Sequence, residues 1–235
     1  MIKPALVLIS LPALLIVVSC RSQNEATKNS SASTFVSATP PFQTREPERY
    51  RATRTITNTN ANGQTNVTKI SIAKDGEFHR IESEFFAARM IFVNGPQGQF
   101  TLLPDEKVYM DQGAGAAPGA PDEDESSADR LLHTESATSS YQQLGTEVVS
   151  GRKTNKYLVI VNGANAANVS SSETLIWIDE ALGMPIKSET KSSDGTHSTM
   201  ELSDLSLDVD KNLFQLPADY KKVPYSEFAR YLAPR

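Results

Sequence analysis

The segment from residue 49 to residue 73 reads RYRATRTITNTNANGQTNVTKISIA and sets the fold class expected for this chain. Apolar residues alternate with polar ones in Arg49–Asn58 and again in Gln64–Ala73. Asn62-Gly63 lies between the two runs and supplies a tight turn, because its glycine tolerates a positive φ. The segment therefore predicts two antiparallel strands joined as a hairpin.

Short runs of the same kind continue along the chain, separated by turn residues. In the first half, the predicted strands are Glu77–Ser83, Arg89–Val93, Phe100–Leu103 and Lys107–Met110. In the second half, they are Gly145–Ser150, Lys153–Val161, Thr174–Asp179, Pro185–Lys191 and Thr196–Leu205. Strands of this length joined by tight turns indicate an antiparallel meander rather than parallel strands with helical crossovers.

Asp111–Asp129 interrupts the strand pattern with small residues and then the acidic run Asp122-Glu123-Asp124-Glu125. Calcium binding is one interpretation, because hard cations bind oxygen ligands, but the run lacks the alternating spacing and central glycine of an EF-hand loop. A solvated, mobile insert agrees better with the usual behaviour of charge blocks. Ala128–Leu144 is predicted to form a helix after it.

The first twenty residues have the pattern of an export signal. Lys3 precedes an apolar run that ends in Val17-Val18-Ser19-Cys20 and is too short to span a bilayer comfortably. Two apolar residues and a small one before the only cysteine resemble the lipobox of bacterial lipoproteins. That resemblance implies cleavage before Cys20, a diacylglycerol on its thiol and an acyl chain such as palmitate on the new amino terminus. A general secretory signal with an ordinary buried thiol is the alternative.

These features predict the organisation of the chain. Residues 1–19 are expected to be a lipoprotein signal peptide, and 20–45 a lipidated N-terminus with a flexible linker rich in small and polar residues. Residues 46–224 are expected to form one domain, and 225–235 a short C-terminal helix or tail. Arg21 follows Cys20, and the sorting rule of bacterial lipoproteins then implies the outer membrane, facing the periplasm.

The charge balance argues against two kinds of partner. The chain has 23 Lys and Arg against 28 Asp and Glu, a formal net charge of −5, without a basic cluster. Nucleic-acid binding needs concentrated Lys and Arg, so no nucleic acid is expected. A polybasic membrane surface is also missing, which leaves the acyl chains on Cys20 as the expected membrane anchor.

A family resemblance comes from the second half. Three consecutive features resemble the C-terminal half of the lipoprotein-localisation-factor superfamily. They are a strand with Leu175 and Trp177, the segment Gly183-Met184-Pro185-Ile186-Lys187, and a closing run from Phe214 to Val223 that begins Phe-Gln-Leu-Pro. The superfamily includes the periplasmic carrier of lipoproteins and its outer-membrane receptor. Coverage runs from about Glu46 to Val223.

The resemblance implies a mainly β (α+β) fold. Its centre would be a strongly curved antiparallel sheet, or half-open β-barrel, with a few helices covering the open side and an apolar cavity between them. The chain departs from the pattern at two points. The long helix expected before the first strand is not evident, and the insert Asp111–Asp129 has no counterpart.

Motifs for catalysis are missing from the sequence. His79, His133 and His197 fall in different elements without a zinc-ligand spacing, so neither a metal nor a cofactor other than the lipid on Cys20 is expected. Asp179-Glu180 is a candidate acid pair, but adjacent strand residues point to opposite faces. We therefore expect no enzymatic activity.

Two functions remain. The first is a binding protein for a lipid, an acyl chain or another apolar ligand, with a role in lipoprotein or lipid trafficking or envelope maintenance. The second is a structural or protein-interaction lipoprotein with a filled core and an envelope protein as partner. The residues expected to line a cavity in the first case are Phe92, Phe100, Leu102, Tyr109, Leu175 and Trp177.

Overall fold

The computed structural model describes residues 36–85, 88–113, 139–162 and 171–232. The strands in these ranges are β1 (Val36–Ser37), β2 (Arg49–Thr59), β3 (Thr65–Asp75), β4 (Phe78–Phe85), β5 (Ala88–Gly95), β6 (Gly98–Leu103), β7 (Val108–Asp111), β8 (Ser139–Val149), β9 (Arg152–Asn162), β10 (Ser171–Asp179), β11 (Pro185–Ser192), β12 (His197–Ser206) and β13 (Lys221–Lys222). A 3-10 turn at Lys211–Phe214 precedes β13, and helix α1 (Tyr225–Tyr231) follows it.

The thirteen described strands form one sheet in the order β1-β8-β9-β10-β11-β12-β2-β3-β4-β5-β6-β7-β13. Every neighbouring pair is antiparallel except β13 and β7, which are parallel. The sheet is curved and does not close into a barrel. The predicted fold class, a mainly β protein built on a curved antiparallel sheet, is confirmed.

The hairpin that the sequence predicted lies in the middle of this sheet. β2 and β3 pair without a break from Arg49↔Asp75 to Thr59↔Thr65. At the turn, the Asn60 side chain accepts hydrogen bonds from the backbone N–H groups of Asn62 and Gln64, both at 3.0 Å. Gly63 has a φ of +80°, which favours glycine. The local sequence therefore fixes the register of the two central strands.

Pairing assigns each side chain to one of two faces, because residues directly opposite each other in an antiparallel pair lie on the same side. We call the face that carries Ala52, Arg54 and Ile56 the Arg54 face, and the face that carries Thr53, Thr55 and Thr57 the Thr55 face. The partners of β2 on the Arg54 face, and their partners in turn, are Ser188, Met200, Leu202, Thr68, Ile70, Ile72, Ile81, Ser83, Met90 and Phe92. The corresponding residues of the Thr55 face are Lys187, Glu189, Thr199, Glu201, Ser203, Val67, Lys69, Ser71, Glu82 and Ile91.

The two faces are covered differently. At one end of the Arg54 face, Phe42 packs against Tyr141 and Tyr157. At the other end, Phe228 of α1 is buried with Met90, Leu103, Val108 and Val223. On the Thr55 face, the chain from Val209 to Tyr220 lies against β5, β6 and β7, where Phe214 is buried with Val93, Phe100 and Leu102. The middle of the Arg54 face lies between its two covered ends.

The structure differs from the sequence-based expectations at two points. Ser139–Leu144 belongs to β8, so the predicted helix Ala128–Leu144 is wrong there, and the rest of it lies outside the described residues. Residues 36–45 of the predicted linker 20–45 contribute β1 and Phe42, which contact the sheet. Among the described residues, α1 is the one α-helix. Residues 114–129 of the acidic insert, Cys20 and His133 lie outside the described ranges.

No helix within the ranges that the structure describes is long and apolar enough to span a membrane.

Candidate functional site

The structure does not bring the six predicted cavity residues together. The pairing places Phe100, Leu102, Tyr109, Leu175 and Trp177 on the Thr55 face. Phe92 alone lies on the Arg54 face, because it pairs with Ile81, which pairs with Ile72 opposite Ala52. The predicted set therefore divides between the two sides of the sheet.

Trp177 is buried in an apolar cluster with Met184 and Ile186, and charged side chains also contact its ring. The Nζ atoms of Lys156 and Lys187 lie 4.5 and 4.7 Å from the centre of its ring, a cation–π arrangement. Its indole Nε1 donates a hydrogen bond of 2.9 Å to the Glu147 carboxylate. With 2% of its surface exposed, Trp177 has the contacts of a core residue.

The remaining Thr55-face candidates also have packing partners. Phe100 and Leu102 are buried beside Phe214, and Tyr109 meets Phe100 edge to face at 5.9 Å between ring centres. Leu175 packs against the buried cluster that contains Trp177. These residues stabilise the attachment of neighbouring segments to the sheet, which is the role that the filled-core hypothesis assigns to them.

The Arg54 face has a different character at its centre. Ala52, Met200 and Leu202 are buried near its middle, and the apolar residues between them and the end beneath Phe228 are only partly buried. These partly buried residues of β2, β3, β4 and β5, which we call the central strip, are Ile56, Ile70, Ile72, Ile81, Phe85 and Phe92. Ile56 and Ile72 pack against the buried cluster that contains Ala52, and Phe85 and Phe92 against the one that contains Phe228. Phe92 meets Phe85 edge to face at 5.7 Å.

Arg54 is a charged residue that lies next to these apolar residues. It lies on β2, the seventh of thirteen strands, directly opposite Leu202 on one side and Ile70 on the other. Only 5% of its surface is exposed. Its Nε atom is buried without a hydrogen-bond partner, and Arg54 forms no salt bridge with any carboxylate of the described residues. Burial lowers the pKa of the Arg54 guanidinium, although the nearby Tyr50 and Glu46 oppose this effect.

The nearest acid, Glu46, is already engaged by two other groups. The Tyr50 hydroxyl donates a 2.7 Å hydrogen bond to one carboxylate oxygen of Glu46, and Lys74 forms an ion pair with the other oxygen. Burial, followed by the proximity of Glu46, raises the pKa of Tyr50, which is therefore neutral at pH 7. Glu46 stabilises the charged form of Arg54 electrostatically, but it also pairs with Lys74, so Glu46, Lys74 and Arg54 together carry one excess positive charge.

The candidate acid pair has a structural role. Asp179, which is 2% exposed, bonds to Arg152 and accepts hydrogen bonds from the N–H groups of Ala181 (2.9 Å) and Leu182 (2.7 Å). Burial alone would raise the pKa of Asp179, but Arg152 and the two N–H groups outweigh it and hold that pKa below its usual range. Glu180 instead pairs with Lys153 at 2.9 Å. The two carboxylates therefore organise the β10–β11 turn separately.

The described ranges contain no group of three or more His, Cys, Asp and Glu residues arranged to hold a metal ion. His79 lies on β4 and His197 on β12, with β2 and β3 between these strands.

Sequence reasoning missed Arg54, although the sequence carries a signal for it. Tyr50, Ala52 and Ile56 establish the apolar positions of β2, and Arg54 falls in the same alternation. An arginine at an apolar position of a strand is expected to be buried with that face. Its isolation from carboxylates could not be inferred from the alternation, because it depends on neighbouring strands.

Comparison with solved structures gives weak matches only. A LolA superfamily protein from Nitrosomonas europaea is 12% identical over 73% of this chain and 92% of that chain, with a TM-score of 0.33. MucB, solved in complex with the periplasmic part of MucA, is 15% identical over 75% and 56%, with a TM-score of 0.41. A domain described as an outer-membrane lipoprotein-sorting protein from Vibrio parahaemolyticus is 15% identical over 73% and 91%, with a TM-score of 0.29.

Among these matches is a member of the superfamily that the second half of the sequence resembles. No protein-family model and no curated protein matches the chain. Because the identities and TM-scores are low, the matches do not bear on what this chain binds.

Proposed function

We propose that this protein is a lipid-anchored protein of the cell envelope that binds the apolar chain of a lipid on the Arg54 face. Cys20 would carry the anchor, and the outer membrane, with the domain facing the periplasm, is the proposed location. A role in lipoprotein or lipid trafficking, or in envelope maintenance, fits such an activity.

The central strip is the observation that carries this proposal. Large apolar side chains that lie on the middle strands of a sheet are normally covered, because their burial contributes about 25 cal/mol per Å². Here both ends of the Arg54 face are covered, and Ala52, Met200 and Leu202 are buried between them, whereas the residues of the central strip keep part of their surface exposed. A flexible acyl chain is long and narrow enough to lie along such a strip.

The structural and protein-interaction hypothesis has support from the other face. Of the five predicted residues of the Thr55 face, Phe100, Leu102 and Trp177 are buried, and Tyr109 and Leu175 pack against the buried clusters that contain them. A protein partner in the envelope could also cover an apolar face. Measuring the lipid that the purified protein carries separates this alternative from lipid binding.

The test uses a pair of charge substitutions on the two faces. Ile81→Lys introduces a charge into the central strip, and Ser71→Lys introduces the same charge on the exposed Thr55 face. The full chain would be purified in digitonin, a neutral detergent with neither an alkyl chain nor an anionic group to compete, and bound lipid would be identified by mass spectrometry. We expect lipid with the wild type and with Ser71→Lys, and at least tenfold less with Ile81→Lys.

Circular dichroism of each variant would establish that the sheet is intact. Wild-type protein free of bound lipid that also fails to take up added palmitate or hexadecanol would contradict lipid binding and favour the structural hypothesis. Equal lipid in all three proteins would show that lipid binds elsewhere than the central strip.

A further inference from the structure

We propose that Arg54 is the binding site for the anionic headgroup of the ligand, so that the protein selects single-chain amphiphiles bearing a carboxylate or a phosphate. This inference rests on the proposed function, because it names the class of lipid that would occupy the Arg54 face.

The first argument is the cost of an isolated buried charge. Moving an ion out of water costs several kcal/mol even after relaxation, so buried arginines are normally paired with a carboxylate and fully hydrogen-bonded. Arg54 has neither kind of partner among the described residues: its Nε is unsatisfied, and the described carboxylates form no ion pair with it. Its flanking residues, Leu202, Ile70, Ala52 and Ile56, have no polar side-chain atom to offer.

The second argument is charge accounting around the site. Glu46 is the acid whose charge acts on Arg54. Both of its carboxylate oxygens already have a partner, because one accepts a hydrogen bond from Tyr50 and the other pairs with Lys74. With Tyr50 neutral, the set of Glu46, Lys74 and Arg54 carries one excess positive charge. A single anionic oxygen group would balance that charge and could accept a forked pair of hydrogen bonds from the planar guanidinium.

The third argument is position. Arg54 lies beside the central strip, next to Ile56 along β2 and directly opposite Ile70 on β3, and the residues of the strip are partly exposed. An amphiphile whose headgroup meets Arg54 can therefore place its chain on the strip. Headgroup and chain would be recognised by adjacent parts of one face, which favours a ligand carrying both over a neutral lipid.

The test compares three sixteen-carbon probes on the full chain, delipidated in the neutral detergent digitonin: palmitate, hexadecyl phosphate and the neutral hexadecanol. We expect wild-type protein to bind at least one anionic probe ten or more times more tightly than hexadecanol. Because truncating one partner of a desolvated charge pair costs 2–5 kcal/mol, Arg54→Leu should weaken that binding by at least about thirtyfold. The affinity for hexadecanol should stay within about threefold of the wild type.

Arg51→Leu is the matched control, since Arg51 lies on the same strand but on the Thr55 face, where it donates to the backbone oxygen of Asp208. It should leave the affinity for all probes unchanged. Preference for palmitate would indicate a fatty acid as the natural source of the anion, and preference for hexadecyl phosphate a phosphorylated lipid. Either preference, if lost in Arg54→Leu, supports the proposal.

Two results would overturn the role of Arg54 while leaving apolar binding intact: equal affinities of the wild type for hexadecanol and for the anions, or an unchanged anion affinity in Arg54→Leu. If no probe binds the wild type, the proposed function fails and this inference with it. Ligand-free Arg54→Leu should melt at or above the wild-type temperature, because removing an unpaired buried charge is neutral or stabilising. A large decrease in melting temperature would show instead that Arg54 supports the fold.

Discussion

Trp177 and Arg54 lie on opposite faces of one sheet, although only β11 and β12 separate their strands. Trp177 contacts Lys156, Lys187 and Glu147, whereas the residues directly opposite Arg54 on the neighbouring strands, Leu202 and Ile70, are apolar. The single tryptophan of the chain, which the sequence suggests as a natural reporter of an apolar ligand, is therefore placed away from the face that we propose to bind one.

A brominated fatty acid should distinguish the two faces. We expect little quenching of Trp177 fluorescence when the acid binds, because a heavy-atom quencher must approach the ring closely. In a Trp177→Phe background, Ile81→Trp places the reporter in the central strip, and its fluorescence should be quenched saturably. Unlabelled palmitate should restore the emission. Strong, saturable quenching of the native tryptophan would place the ligand on the Thr55 face and contradict the proposed site.

The end of β5 should not tolerate a side chain at Gly95. A Cβ added there would overlap the backbone carbonyl oxygen of Phe214, which cannot rotate away as a side chain can. Gly95→Ala is therefore expected to cost about 3 kcal/mol, near the upper range for overpacking, and to lower the melting temperature by roughly 6–12 °C. Thermal unfolding followed by circular dichroism measures the change.

Gly76→Ala provides the comparison for Gly95→Ala. Gly76 has a φ of +64°, and no neighbouring atom lies within 4 Å of the position that a Cβ would take, so only the left-handed backbone conformation opposes a side chain. That conformation costs an alanine about 1–2 kcal/mol. A Gly95→Ala protein that melts no lower than Gly76→Ala would contradict the close packing of the 3-10 turn against β5.

Alternation within single strands was predictable from the sequence, but assembly across strands was not. In β2, Tyr50, Ala52 and Ile56 lie on one face, as their alternation in the sequence predicts. Successive side chains of a strand point to opposite faces, so the sequence alone is enough to group them. β10 is apolar on both faces, so its sequence could not assign Trp177 to either, and the face was set by pairing with Lys156 and Lys187.

The error at Ser139–Leu144 has a related cause. The local pattern of this segment is compatible with a weakly amphipathic helix, but pairing with β9 on one side and β1 on the other makes it a strand. Tertiary hydrogen bonds and the burial of Tyr141 beside Phe42 outweigh a small difference in local propensity. The missing ion pair of Arg54 is likewise a property of several strands, which no single segment encodes.

Lipidation at Cys20 remains a prediction from the sequence. Cys20→Ser should abolish metabolic labelling with a palmitate analogue and move the protein from the membrane fraction to a soluble exported pool. Fractionation of cells expressing either form, followed by immunoblotting, measures the distribution. Ser19→Ala keeps a small residue before the cysteine and should leave labelling unchanged. Labelling that survives Cys20→Ser would rule out the lipoprotein interpretation.

Asp179 should make the stability of the protein depend on pH in the acidic range. Its pKa in the folded protein is lower than the value of about 3.9 usual for an unfolded chain, despite burial, because Arg152 and the N–H groups of Ala181 and Leu182 stabilise the charged form. A depressed carboxyl pKa contributes stability that is present above the unfolded value and is lost as pH falls through the folded value.

Asp179→Asn tests this contribution, because asparagine keeps the shape and removes the charge. At pH 7, we expect the variant to be less stable by about 2 kcal/mol, which corresponds to a melting temperature roughly 4–8 °C lower. The difference in unfolding free energy from the wild type should begin to shrink as pH falls below about 4, where Asp179 of the unfolded chain takes up a proton, and should disappear as pH falls through the lower pKa of the folded protein. Glu180→Gln, which alters an ion pair at the exposed edge of the same turn, should change stability by less than about 1 kcal/mol. Urea unfolding at several pH values measures both variants, and a difference for Asp179→Asn that stays constant from pH 7 to pH 3 would show that its charge does not stabilise the β10–β11 turn.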